Sequence, residues 1–300
     1  MSKPVVGFIG LGLMGSAMCN RLLDLDYSLN IVANKSRAAI DKAVERGAVE
    51  MQNGKALAEA SDIIMLCMDT SKSVESRMLG TDGIVNGLSS GKVAIDFGTS
   101  LPQSTKKIGE AVAATGAAYL DAPLGRTPAH ALDGLLNIMC AGDLDAFKKV
   151  EPTLKDLGEN VFHLGALGSG HTIKLINNFF GMTTANSMAE AFAMADLAGI
   201  ERQQVYDVMS AGPLHSMMMD FVKAYAVDGV STALEFSVRN AHKDVGYYVE
   251  MVNALGAESL MSHGTKQALG LSNSAGRGDT MVSEQTDFFA KLMGSPKSVD

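Results

Sequence analysis

Short apolar runs separated by amphipathic stretches fill the first half of the chain, and long helical periodicities fill the second. Val5 to Ile9, Leu29 to Ala33, Asp62 to Met68, Lys92 to Phe97 and Ala118 to Ala122 read as strands. A short strand over Ala48 to Met51 belongs with them, and Leu135 to Cys140 and Val161 to Leu164 close the series. Between them the spacing predicts helices: one ending near Leu25, then Arg37 to Arg46, Ala56 to Ala60, Ser73 to Leu79, Gln103 to Ala113 and Leu144 to Leu154. Such alternation predicts an α/β fold with a parallel, doubly wound sheet and a cleft at the strands' carboxyl ends. Beyond Gly165 the pattern is wholly helical, over 171–198, 201–210, 214–226, 236–254, 258–272 and 281–291. The chain is therefore expected to divide into a dinucleotide-binding domain at 1–164 and an all-α substrate and oligomerisation domain at 165–300. Its longest apolar run, Gly165 to Gly199, has Lys174, Glu190 and Asp196 as its charges, and a helix this apolar is expected to be buried nearly all round.

Chemistry enters at the first turn. Gly10, Leu11, Gly12, Leu13, Met14 and Gly15 form a GxGxxG between a strand and a helix, the Rossmann context in which backbone N–H groups at a helix start receive a pyrophosphate. The second strand ends at Asn34, Lys35, Ser36 and Arg37, with no acid to hold a ribose 2′-hydroxyl. Two cations and a hydroxyl suit a 2′-phosphate, so NADP is the expected cofactor, with NAD as the alternative and a merely basic solvated turn also open. Met68, Asp69 and Thr99 lie at strand ends, where the ribose and nicotinamide would pass. Lys174 and Asn178 stand four residues apart and share a helix face, so they can offer an ammonium and an amide to one small molecule. Taken alone, Lys174 also reads as a snorkelling lysine at a helix start.

Composition narrows the partners. Over 300 residues the net charge is -8 and the basic residues are scattered, which argues against nucleic acid. Cys19, Cys67 and Cys140 show no CxxC spacing and read as reduced thiols of a cytoplasmic protein. His130, His163, His215 and His263 show no metal spacing, and His171 reads as a capping or cofactor-packing group. The start of the chain lacks the apolar region and cleavage site of a secretory signal. Asn177, Asn178, Thr183, Thr184, Asn186 and Ser187 make Leu175 to Leu197 a poor membrane span. Abundant methionine and apolar surface in the helical part point to a homodimer or homotetramer.

Several motifs together resemble the β-hydroxyacid dehydrogenase family: GFIGLGLMG at 7–15 with Ala17, Met18 and Asn20, then GSGHTIKLINN at 168–178, then His242, Lys243 and Asp244. The resemblance runs the whole length and implies hydride transfer between a nicotinamide and a carbonyl carbon. It makes Lys174 the general acid or base, has Asn178 orient the substrate with Asn177 as a weaker candidate, and sets Lys243 near the cofactor. An ordinary lysine titrates near pH ~10.4, and burial beside a positive nicotinamide is expected to lower it.

Two departures carry information. The family's DAPVSGG loop reads DAPLGRTP here, closest to the sulfolactaldehyde reductase subgroup, whose resemblance points to NAD where the Asn34 to Arg37 turn points to NADP. Gly125, Arg126 and Thr127 thus become candidates to hold a terminal sulfonate or phosphonate, because a guanidinium fork suits a tetrahedral anion. The other reading of Arg126 is a structural ion pair with Asp121 or Asp133. Gly98, in Asp96-Phe97-Gly98-Thr99, replaces a frequent serine and removes one possible polar contact. A carboxylate substrate, such as succinic semialdehyde, 4-hydroxybutyrate or 3-hydroxyisobutyrate, is the nearest alternative, and a catalytically silent dinucleotide-binding module is the alternative from another class.

Overall fold

A computed structural model describes residues 3–33 and 37–295 of the chain. Among these, β1 (Val6–Ile9), β2 (Leu29–Val32), β3 (Val49–Met51), β4 (Ile63–Leu66), β5 (Val93–Asp96), β6 (Ala118–Asp121), β7 (Leu124–Gly125), β8 (Leu136–Gly142) and β9 (Gly158–His163) form one sheet. Its order is β3-β2-β1-β4-β5-β6-β8-β7, with β9 alongside β8. The helices between strands are α1 (Leu13–Asp24), α2 (Arg37–Glu45), α3 (Gly54–Glu59), α4 (Ser71–Leu79), α5 (Pro102–Ala113), α6 (Pro128–Leu132) and α7 (Leu144–Leu157).

Pairing is parallel from β3 through β6, and strand order reverses between β1 and β4, where doubly wound sheets place their ligands. At the far edge the sheet departs from the expected all-parallel form, because β8 runs antiparallel to β6 and β7 and parallel to β9. The loop DAPLGRTP makes this possible: Pro123 and Pro128 break it into the two-residue β7 and the short α6, so the chain reverses within a few residues. Val6, Phe8, Ile31, Met65 and Ile95 build the core on one face, and Ile9, Leu57, Ile64, Leu66 and Ala94 build it on the other. That two-sided burial is what the unbroken apolar runs required.

The chain divides into compact units at Met1–Lys174 and Leu175–Asp300, the division falling inside α8 (Ser169–Leu197). The second unit continues with α9 (Arg202–Ser210), α10 (Met217–Ala226), α11 (Val238–Ala254), α12 (Ser262–Ser272) and α13 (Gln285–Leu292). Its core gathers Met182, Ala189 and Phe192 of α8 with Val222, Val245, Leu269 and Phe289. Ser216 caps α10 and Ser237 caps α11, each accepting a backbone N–H, so both helices start later than their apolar patterns suggested. Arg202 ties the unit together, reaching Asp196 and Asp287 and the Ala226 carbonyl.

One expectation fails. α8 is not buried all round, since Phe180 is 71% exposed and Ile176 and Met194 about half exposed. Apolarity of composition did not distinguish a helix sunk in one core from a helix with an uncovered apolar stripe. Among the described residues no helix is long and apolar enough to cross a membrane.

Candidate active site

β1, β4 and β5 end in register, Ile9 beside Leu66 beside Asp96, so the loops after them emerge at one sheet edge. Gly10 makes the turn at φ 102°, a conformation that strains other residues, and a Cβ there would collide with the Cys67 carbonyl. Gly15 lies so close under the Gly10 carbonyl that no side chain fits. By contrast, the space over Gly12 is open, and Leu13 is 79% exposed. Gly12 caps α1 without a side-chain hydrogen bond, and no acid lies in the first turn. An open helix start of this kind, with Leu11 and Met14 half-buried beside it, fits a dinucleotide pyrophosphate.

Next to this cradle, the Met68 sulfur approaches Gly10. The Asp69 carboxylate accepts from Ser73 Oγ at 2.8 Å, and Thr99 is half-buried after β5. Gly98 is explained by crowding: a Cβ would stand 2.9 Å from the Met68 carbonyl and 3.0 Å from Asp96 Oδ1. Asn34, Lys35 and Ser36 lie outside the described residues. Arg37 opens α2 and grips both Glu50 oxygens at 2.7 Å, with Nε on Asp41 at 2.8 Å. Its guanidinium holds the Glu50 carboxyl below the usual range.

A second cluster fixes the start of α8; from the sequence, His171 read as a capping or cofactor-packing group and Asp121 as a possible partner of Arg126, and nothing joined them. Asp96 and Asp121 end β5 and β6 in register and are wholly buried, with His171 between them. Asp121 accepts from the amides of Gly168 and His171, both at 2.7 Å. His171 Nδ1 shares a 2.7 Å hydrogen bond with Thr105 Oγ1, and its Nε2 lies 3.7 Å from Asp96 Oδ2. Asp96 in turn accepts from Gly98 N and Ser100 Oγ, both at 2.8 Å. Burial raises the Asp121 carboxyl above its ordinary value, against the lowering effect of His171 and the two amides. Burial also drives the Tyr119 hydroxyl well above its usual range, helped by Asp96 and Asp121. The available signal was an aspartate closing each of two apolar strands, since a buried carboxylate demands partners.

Further along α8 stand Lys174 and, one turn on, Asn178. Asn178 is buried and donates to Asp244 Oδ2 at 2.6 Å, while its carbonyl accepts from Asn177 at 3.2 Å. Lys243 pairs with the other Asp244 oxygen at 2.9 Å and lies over the Tyr247 ring. Asp244 therefore joins two candidates, Asn178 and Lys243, that the sequence named separately. A stacked pair, Phe179 on Tyr248 at 4.3 Å, holds α8 against α11 beside them.

The DAPLGRTP loop holds the remaining candidates. Gly125 in β7 pairs with Asn137, and the Thr127 hydroxyl bonds His130 Nδ1 at 2.7 Å. Arg126 adopts φ 76°, left-handed and rare for a residue with a side chain, at a position where the resembling pattern has glycine. Its Nη1 takes the Leu135 carbonyl and Glu159, both at 2.6 Å. The ion-pair partner is thus Glu159 in place of Asp121 or Asp133. Asp121 is committed to α8, and a register shift in β8–β9 leaves Glu159 as the extra residue opposite the Leu136 to Asn137 step.

Residues 5–165 match the model for the NAD binding domain of 6-phosphogluconate dehydrogenase, and residues 168–287 match the model for the NAD-binding part of NADP-dependent 3-hydroxyisobutyrate dehydrogenase. The chain belongs to the β-hydroxyacid dehydrogenase family. Relatives in the family include a 2-(hydroxymethyl)glutarate dehydrogenase of Eubacterium barkeri, 29% identical over 83% of each chain. A 3-sulfolactaldehyde reductase of Escherichia coli is 28% identical over 91% of each. In fold, this β-hydroxyacid dehydrogenase matches a solved 3-hydroxyisobutyrate dehydrogenase of Salmonella typhimurium with a TM-score of 0.82 at 23% identity, over 95% of this chain and 100% of that one. It is an NAD(P)-dependent oxidoreductase acting on hydroxy compounds. The open glycine turn agrees with that cofactor.

Proposed function

We propose that this β-hydroxyacid dehydrogenase interconverts a small aldehyde or ketone and its hydroxy compound, using NADP(H) by preference, on a substrate with a terminal sulfonate or phosphonate. The observation that carries the chemistry is α8, with Lys174 one turn from an Asn178 that Asp244 fixes in place. When bound, the reduced dinucleotide supplies the hydride. Lys174 gives its proton to the carbonyl oxygen as the carbonyl carbon is reduced, and recovers it from solvent; in the oxidative direction it takes the hydroxyl proton. Asn178 orients the substrate, and Asp244 holds the Asn178 amide while Lys243 balances the Asp244 charge. Gly10, Gly12 and the start of α1 receive the pyrophosphate. Support for NADP(H) comes from the Asn34 to Arg37 turn, which has two cations and no acid.

Arg126 and Thr127 supply the anion contacts in this reading. The Leu135 and Glu159 contacts of Arg126 run through Nη1, and a guanidinium carries N–H donors on two further nitrogens. Holding a left-handed backbone at a side-chain-bearing residue is a strain that sites of function retain. Similarity to a 3-sulfolactaldehyde reductase supports a sulfonate. Arg126→Ala is expected to raise KM for a sulfonate or phosphonate aldehyde by roughly 10- to 100-fold, the loss of a charge-assisted hydrogen-bond pair, with a smaller effect on a carboxylate analogue. Equal turnover of all three acids by the parent protein, unchanged by the substitution, would favour the carboxylate reading instead.

The uncovered stripe of α8 supports a homodimer or homotetramer formed through the helical unit. Phe180→Asp on that stripe is expected to shift the sedimentation profile towards monomer. A wild-type chain that already sediments as a monomer sinks this part of the proposal.

A further inference from the structure

Glu50 stands at the place where a dinucleotide-binding unit distinguishes its two cofactors. It lies in β3 opposite Ile31 of β2 and, with Val32, Ala33, Met51 and Gln52, lines a shallow pocket at the ends of those strands. The ribose of the adenosine half lies past the carboxyl end of the second strand in such a unit. Arg37, one of the two cations expected to meet a 2′-phosphate there, is already paired. Both terminal nitrogens of its fork are on Glu50 at 2.7 Å, and Nε is on Asp41 at 2.8 Å. A phosphate needs that same planar fork.

We infer that Glu50 is a specificity-determining residue, a counterweight that competes with a 2′-phosphate for Arg37 and so limits the preference for NADP over NAD. The two cofactors meet it differently. A 2′-phosphate must displace the Glu50 carboxylate from Arg37 and then lie beside it, like charge against like charge. A neutral 2′-hydroxyl can donate to the carboxylate without breaking the pair, because a carboxylate offers about four acceptor positions and the fork fills only part of them. The missing acid at the end of β2 is thus replaced in part by one from the neighbouring strand. This inference rests on the reading that the pocket receives the adenosine ribose.

The test is calorimetric titration of NADP+, NAD+ and adenosine 2′,5′-bisphosphate into wild type, Glu50→Gln, Arg37→Gln and the double variant. Glu50→Gln is expected to tighten NADP+ and the bisphosphate by roughly tenfold, the scale of one charge-assisted hydrogen bond at a solvated site, while NAD+ is unchanged or slightly weaker. In the Arg37→Gln background the same substitution is expected to give no gain. An unchanged ratio of NADP+ to NAD+ affinity in Glu50→Gln overturns the inference, and so does a gain that persists without Arg37. Wild type and Glu50→Gln that both bind the two dinucleotides but not the bisphosphate remove the pocket reading, and with it this inference, while the cofactor reading stands. Wild type that binds neither dinucleotide overturns the cofactor reading as well.

Discussion

Lys174→Met is expected to lower kcat for carbonyl reduction by about 10²- to 10⁴-fold, the usual contribution of one placed proton donor, with dinucleotide affinity unchanged. Methionine keeps the length and most of the volume of the side chain, so the substitution removes the proton and the charge while the packing of α8 remains. Residual turnover is expected because hydride donation depends on alignment, which other residues hold, and a water can deliver a proton slowly. The pH profile separates this role from a structural one. With a lysine as the acid, reduction by wild type falls at high pH as the amine loses its proton, and that limb is expected to vanish in Lys174→Met. Turnover unchanged by the substitution, or a high-pH limb that survives it, would remove Lys174 from the chemistry. The measurement is stopped-flow absorbance of nicotinamide consumption across pH, with tryptophan-free protein giving a clean background for nucleotide fluorescence titration.

What the residues announced and what they concealed follow from range. GxGxxG is a local device: the turn, the close approach and the open helix start all involve Gly10 to Gly15, so the motif could be read without the fold. The same holds for Lys174 and Asn178, whose spacing is a property of one helix. Asp96, Asp121 and His171 are different. They lie 25 and 50 residues apart along the chain and come together only because β5 and β6 are neighbours in register and α8 begins against them. Asp244 was visible beside Lys243, yet its bond to Asn178 spans 66 residues and depends on how α8 and α11 pack. Arg126 shows the limit most plainly. Its substitution for a small residue was legible, but the bulge that brings Glu159 to it is a matter of strand register, which apolar alternation in β9 does not encode. Burial of α8 was misread for a related reason, since an apolar helix face says that something must cover it and not what.

Asp121→Ala is expected to destabilise the fold by about 3–5 kcal/mol, the cost of removing one member of a buried charged network, read as a lower denaturant midpoint at constant slope. Two buried amides, Gly168 N and His171 N, lose the acceptor they share, and His171 keeps Asp96 as its one neighbouring carboxylate in the cluster. Because those amides open α8, the first turn of the helix that carries Lys174 loses its anchor, and kcat is expected to fall more than substrate affinity does. The pH dependence gives an independent check with a definite sign. Burial raises the Asp121 carboxyl above its ordinary value of 3.8, so the folded state holds the proton more tightly than the unfolded chain. That part of the stability is fully present below the unfolded value and is lost as pH rises through the folded one. Alanine has nothing to titrate. The stability gap between wild type and Asp121→Ala is therefore expected to be widest at the acid end and to narrow as pH climbs out of the carboxylate range. A gap that widens over the same interval would mean that the two amides and His171 outweigh burial, making Asp121 a carboxylate held ionised by its partners.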